Sequence, residues 1–116
     1  MRQEEHIQRA IVDYIVYAAP ECIVFAVPNG AKREPGKRAP NYVPGIVRGV
    51  PDLALVLPDG KSAFIEVKAA TGRLSPAQEV FLASLHRRGV PHCVARSIDD
   101  VRAFFSRIGV TTREAA

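Results

Sequence analysis

No run of apolar residues in this chain approaches the roughly 20 that a membrane-spanning helix needs. The opening Met-Arg-Gln-Glu-Glu has nothing of the apolar core of a signal peptide. No membrane partner is therefore expected, and a cytoplasmic setting is. The only two cysteines, Cys22 and Cys93, each sit in an apolar stretch and outside any Cys-x-x-Cys pattern. That favours buried free thiols over a disulfide or a catalytic thiol. His6, His86 and His92 show no His-x-x-x-His spacing, which argues against a zinc site. No internal repeat is present. A chain of 116 residues has room for one domain and one core. Its net charge of +4 and pI of about 9.4 lean toward a polyanionic partner, although the placement of the charge carries more information than the total.

The most informative segment runs from Pro51-Asp52, across thirteen residues, to Glu66-Val67-Lys68. Asp-Leu-Ala-Leu-Val-Leu (52–57) and Ser-Ala-Phe-Ile-Glu-Val-Lys (62–68) read as the two strands of a hairpin around Pro58-Asp59-Gly60. Proline suits the first central position of a type I turn, and glycine suits the left-handed position of a three-residue loop closed by a bulge. That loop pairs Leu57 with Lys61 and therefore Asp52 with Glu66, on one face with Lys68. A two-residue Asp59-Gly60 turn would slip the register by one and send the two acids to opposite faces; Pro58 favours the longer loop. Opposed carboxylates repel unless a cation lies between them, and oxygen ligands with room for water suit Mg²⁺ or Mn²⁺. The plainer alternative is a strand end with solvated charges.

Around this hairpin, residues 3–18 have helical periodicity in Ile7, Ile11, Tyr14, Ile15 and Ala18, with Pro20 stopping the run. Cys22–Val27 reads as a short buried strand. Residues 28–51 then hold five prolines, four glycines and no periodicity, together with Lys32, Arg33, Lys37, Arg38 and Arg48 against the single acid Glu34. A loop that long in so small a domain is functional or disordered, and its basic charge, with Tyr42 as a stacking side chain, makes it the candidate nucleic-acid-binding arm. Ser75 and Pro76 mark the N-cap and first position of a second helix that stops at Gly89. Val90–Arg96 is a further strand, Ser97 caps a helix from Ile98 to Ile108, and residues 110–116 are expected to fray. The fold class is α/β, a mixed β-sheet flanked by helices in the order α-β-β-β-α-β-α.

Glu4 extends the buried stripe of the first helix toward its start, and Glu5 falls nearer the Arg9/Val12 side; alternatively both only complement the helix dipole. Gln78 fits a capping box with Ser75, or points from the helix start toward the acids.

Five segments in this order resemble the VRR-NUC (virus-type replication-repair nuclease) family of the PD-(D/E)xK nuclease superfamily. They are Glu4…Gln8, Val27-Pro28-Asn29-Gly30, Gly49-Val50-Pro51-Asp52, Phe64-Ile65-Glu66-Val67-Lys68 and Leu74-Ser75-Pro76-Ala77-Gln78. The resemblance implies a restriction-endonuclease-like core and divalent-metal-dependent hydrolysis of DNA phosphodiesters. It assigns Glu4, Asp52, Glu66, Lys68 and Gln78 to the active site without separating Glu4 from Glu5. Asp52, Glu66, Glu4 and the Val67 carbonyl would hold Mg²⁺ or Mn²⁺. It further implies a homodimer acting on branched DNA such as four-way junctions; Val12 and Val16, beside the main apolar stripe of the first helix, make that helix the candidate interface. A flap- or single-strand-directed nuclease and a non-catalytic junction-binding module are the alternatives.

Overall fold

The computed structural model describes residues 3–28 and 44–114. Helix α1 (Gln3–Ala18) is followed by strands β1 (Ile23–Ala26), β2 (Leu53–Val56) and β3 (Ser62–Val67), helix α2 (Pro76–Arg87), strand β4 (His92–Ala95) and helix α3 (Ile98–Ile108). The strands form one four-stranded sheet in the order β1-β2-β3-β4. The first three run antiparallel, and β4 joins β3 in parallel after the crossover through α2. This is the mixed α/β architecture and element order that the sequence predicts.

The hairpin has the longer loop. Leu53 pairs with Ile65 and Val56 with Ser62. The loop closes with Leu57 N–H donating to the Lys61 carbonyl and Gly60 N–H to the Leu57 carbonyl, both at 2.8 Å. Gly60 has φ +88°, the left-handed conformation in which a Cβ is costly. Extending the register by one pair sets Asp52 opposite Glu66.

Odd-numbered residues of β2 and β3 (Leu53, Leu55, Ala63, Ile65, Val67) face α1 and α3. There they pack with Ile11, Ile15, Val101, Phe104 and Phe105 into the hydrophobic core. The even-numbered face, with Ala54, Phe64 and Glu66, is met by α2, whose Gln78 reaches Glu66. One face is thus a dry core, and the other carries the polar chemistry at the end of the central strands.

Two expectations need correction. Cys22–Val27 reads in sequence as a buried strand, but β1 is an edge strand covered by α1 on one side only. Val24 packs on the core, while Ile23 and Phe25 are 61% and 50% exposed on the other side. An unbroken apolar run cannot distinguish an edge from a centre. Residues 110–114 are not frayed. Val110 packs on the core, Arg113 N–H donates to the Ala18 carbonyl at 2.7 Å, and Glu114 accepts from the Tyr14 hydroxyl at 2.7 Å and from Arg102 Nε at 2.8 Å. The tail is held by partners remote in sequence, which no local pattern reveals. Both cysteines are free thiols; Cys22 is buried, and burial pushes the Cys93 thiol up to about 12. None of the described helices is long and apolar enough to cross a membrane.

Replacing Gly60 by alanine forces a Cβ into the left-handed region and should cost about 1–2 kcal/mol. Urea denaturation should show that loss while Asp52 and Glu66 stay paired. Unchanged stability would mean that the loop does not hold the register.

Candidate active site

The β2–β3 ladder brings the first two functional side chains together. Asp52, half-buried just before β2, accepts a hydrogen bond at Oδ2 from the Val67 N–H at 2.8 Å, so its carboxylate is turned toward β3. Glu66, opposite, is only 1% exposed. Its Oε2 accepts from Gln78 Nε2 at 3.1 Å and lies 3.9 Å from the ammonium of Lys68, itself buried. Its buried Oε1 receives no hydrogen bond from a donor among the described residues, and the contact of Glu66 with the Asp52 carboxyl joins two acceptors and needs a shared proton.

Gln78 serves both purposes that the sequence allows it. Its Oε1 accepts from Ser75 N–H at 2.8 Å, and its own N–H donates to Ser75 Oγ at 3.2 Å, completing the capping box of α2. With Oε1 engaged in the cap, the amide nitrogen is left to face Glu66. The first turn of α2 is also fixed against the segment leading to Asp52. Gly49, at φ +86°, lies so close to α2 that a Cβ there would come within 2.3 Å of the Ala77 carbonyl oxygen.

Glu4, on the first turn of α1, is half-buried, with Oε2 3.5 Å from Ala69 N, and its charge is felt by Glu66. Glu5 is exposed. Both line an open cleft of about 850 Å³ with Gln8, Arg9, Asp52 and Ala69. Of the basic arm, Arg48 is exposed beside α2, while Lys32, Arg33, Lys37, Arg38 and Tyr42 lie outside the described residues.

The electrostatics are dominated by Glu66. Burial, then the hydrogen bond shared with Asp52 and the repulsion of its charge, push the Glu66 carboxyl up from 4.5 to about 8; Lys68 opposes the shift and Glu4 adds to it. A hard divalent cation fits this donor set. Two opposed carboxylates, one with a buried oxygen lacking a donor, lie where positive charge would relieve both repulsion and desolvation. Among the described residues no group of three or more His, Cys, Asp or Glu side chains forms a ready-made cage. Further ligands would have to be main-chain carbonyls, water, or Glu4 brought closer from the wall of the cleft it shares with Asp52.

Paired acids and a buried lysine thus meet at the end of two adjacent strands of an α/β sheet. The VRR-NUC domain family model matches residues 3–99, and the chain belongs to that family. The chain is thus a nuclease-type, DNA-processing domain. A solved structure described as a VRR_NUC domain superposes with a TM-score of 0.65, covering 91% of this chain and 97% of that one at 21% identity, a likeness of fold. No curated protein matches the chain.

Sequence reasoning did not single out Arg96, whose guanidinium crosses to the turn after β3, 27 residues away from Ala69. Nothing local marks it, because its partners are main-chain carbonyls.

The raised Glu66 value has a defined sign. The folded protein holds this proton more tightly than the unfolded chain, so the group's contribution to stability is complete below about pH 4.5 and is lost as pH rises through about 8. Without divalent metal, the melting temperature should fall across that window, and Glu66→Gln should flatten the fall. A slope that Glu66→Gln leaves unchanged would mean that Glu66 ionises without penalty.

Proposed function

We propose that the chain is a divalent-metal-dependent DNA endonuclease whose active site is built from Asp52, Glu66, Lys68, Gln78 and Glu4. The observation that carries this reading is the opposition of Asp52 and Glu66 across β2 and β3, with a buried carboxylate oxygen of Glu66 left without a donor. Asp52, Glu66, Glu4 and the Val67 carbonyl would hold Mg²⁺ or Mn²⁺. When bound, such an ion supplies positive charge against the scissile phosphate and acidity to the attacking water.

The side chains divide the remaining work. Gln78, anchored by its cap, holds Glu66 Oε2 and thereby leaves Oε1, which has no donor among the described residues, available to a cation. Lys68, 3.9 Å from the same oxygen, is close enough to place the water or to offset charge gathering on the phosphoryl oxygens. Glu4 closes the site from the α1 side, and Glu5, exposed on the same turn, has the weaker claim. Arg48 and the basic side chains from Lys32 to Arg38, with Tyr42, supply phosphate and stacking contacts rather than base readout.

The substrate we favour is branched DNA, particularly a four-way junction, cut by a homodimer. A domain with one acid cluster makes one cut, and resolving a junction needs two symmetric ones, which an isologous pair supplies. Exposed apolar side chains are available for such pairing: Val16, 60% exposed near the end of α1, and Ile23 and Phe25 on edge strand β1. Val12 instead packs partly against the core.

Asp52→Asn and Glu66→Gln should abolish cleavage with DNA affinity retained, and EDTA should stop the wild type. Cleavage that persists in EDTA would end the metal reading. Neutralising Lys37 and Arg38 should weaken binding alike on all DNA sequences and lower the salt slope by up to about one unit for each phosphate no longer neutralised. An unchanged slope would place both away from the DNA. Light scattering should give a dimer, and a panel of substrates should show junctions cut in preference to linear duplex. A monomer that cuts both equally would leave a general nuclease.

A further inference from the structure

Arg96 leaves β4 immediately before α3, and its backbone is fixed on both sides. Its N–H donates to Asp100 Oδ2 at 2.8 Å, and the preceding Ala95 carbonyl accepts from Lys68 N–H at 3.0 Å. Its guanidinium does not form an ion pair among the described residues. Instead, Nη1 points into the turn that follows Lys68, donating to the Ala69 carbonyl at 2.6 Å and the Gly72 carbonyl at 2.8 Å, with the Ala70 carbonyl at 3.4 Å. The turn closes on itself through Gly72 N–H and the Ala69 carbonyl at 3.0 Å. All three contacts are made by the one nitrogen Nη1, whose two N–H groups and permanent charge serve the two short ones; a lysine, one atom shorter, would not bring its nitrogen to the same place.

The other side of that turn faces Glu4. Glu4 Oε2 lies 3.5 Å from Ala69 N, and a Cβ built on Gly72 would meet the same oxygen at 3.3 Å. The main chain of residues 69–72 is therefore the surface against which the Glu4 carboxylate rests, and the lack of a side chain at Gly72 leaves it the room. Glu4 sits on a helix at the far end of the sequence from β4, so nothing local fixes its distance from Glu66.

We propose that Arg96 is a positioning residue: by gathering the carbonyls of the 69–72 turn it seats the Glu4 carboxylate on the wall of the cleft that Asp52 also lines. The inference rests on the nuclease reading above, with Glu4 as a ligand. It gives Arg96 no contact with DNA and no part in the chemistry.

The test is a double-mutant cycle read by steady-state kinetics and by calorimetric Mn²⁺ affinity in the absence of DNA. Arg96→Lys should lower kcat and Mn²⁺ affinity by about 10- to 100-fold, the usual cost of losing a group that orients a ligand, with KM for DNA unmoved. In a Glu4→Gln background the same change should cost little, because the residue it seats is already gone. Equal losses in both backgrounds, or a rise in KM alone, would overturn the proposal in favour of a structural or phosphate-binding role. Should Arg96→Lys fail to fold, Arg96→Gln is the second probe, and it should show both losses and the same dependence on Glu4; an Arg96→Gln protein with unchanged Mn²⁺ affinity would count against the proposal. Asp52→Asn separates the two claims. If it stays active, the nuclease site itself is wrong; if it is inactive and the cycle is additive, only the role of Arg96 falls.

Discussion

Leu57 N–H meets the Lys61 carbonyl at 2.8 Å, and everything at the other end of β2 and β3 depends on that bond. A strand's side chains alternate faces, so a hairpin loop one residue shorter would turn Glu66 into the core and Val67 out of it. With the three-residue loop in place, Leu53, Leu55, Ile65 and Val67 go to the dry side under α1 and α3, and Asp52, Glu66 and Lys68 go to the other. The turn and the acids lie at opposite ends of the hairpin, but the register connects them rigidly. Burial of the odd-numbered residues then makes slippage costly.

The acids are held in an arrangement that is unfavourable by itself. Glu66 is buried, opposed by another carboxyl and left with one unsatisfied oxygen, and its raised pKa expresses that strain in protonic terms. Three features keep it in place. Asp52 is tied to the Val67 N–H, Gln78 is tied to its own helix cap, and Lys68 lies alongside. Groups held this way gain from a cation, which is the physical basis for reading the site as a metal centre. Satisfying the same groups internally would have produced a more stable protein with no function there.

Much of this is legible in the sequence because it is written in local signals. Pro58 and Gly60 specify the loop, Ser75-Pro76 and Ser97 mark the starts of α2 and α3, and Gly89 and Gly109 mark their ends. The two-residue period of a strand, counted back from that loop, then sets Asp52 opposite Glu66. What stays hidden depends on contacts between distant segments. β1 reads as buried because apolar runs do not reveal their neighbours, and the 110–114 tail reads as loose because Tyr14 and Arg102 are far from Glu114 in sequence. Helix phase sets Glu4 and Glu5 on different sides of α1, but that Glu4 meets the 69–72 turn is visible only in the fold. Arg96 is an ordinary arginine until its carbonyl partners are seen.

The central claim, that Asp52 and Glu66 together hold a divalent cation, is tested most directly by an anomalous-difference map from crystals equilibrated with Mn²⁺. The account predicts a peak between the two carboxylates with Glu66 Oε1 as a ligand, and its loss in Glu66→Gln crystals. No peak at saturating Mn²⁺, or one that survives Glu66→Gln, would contradict it.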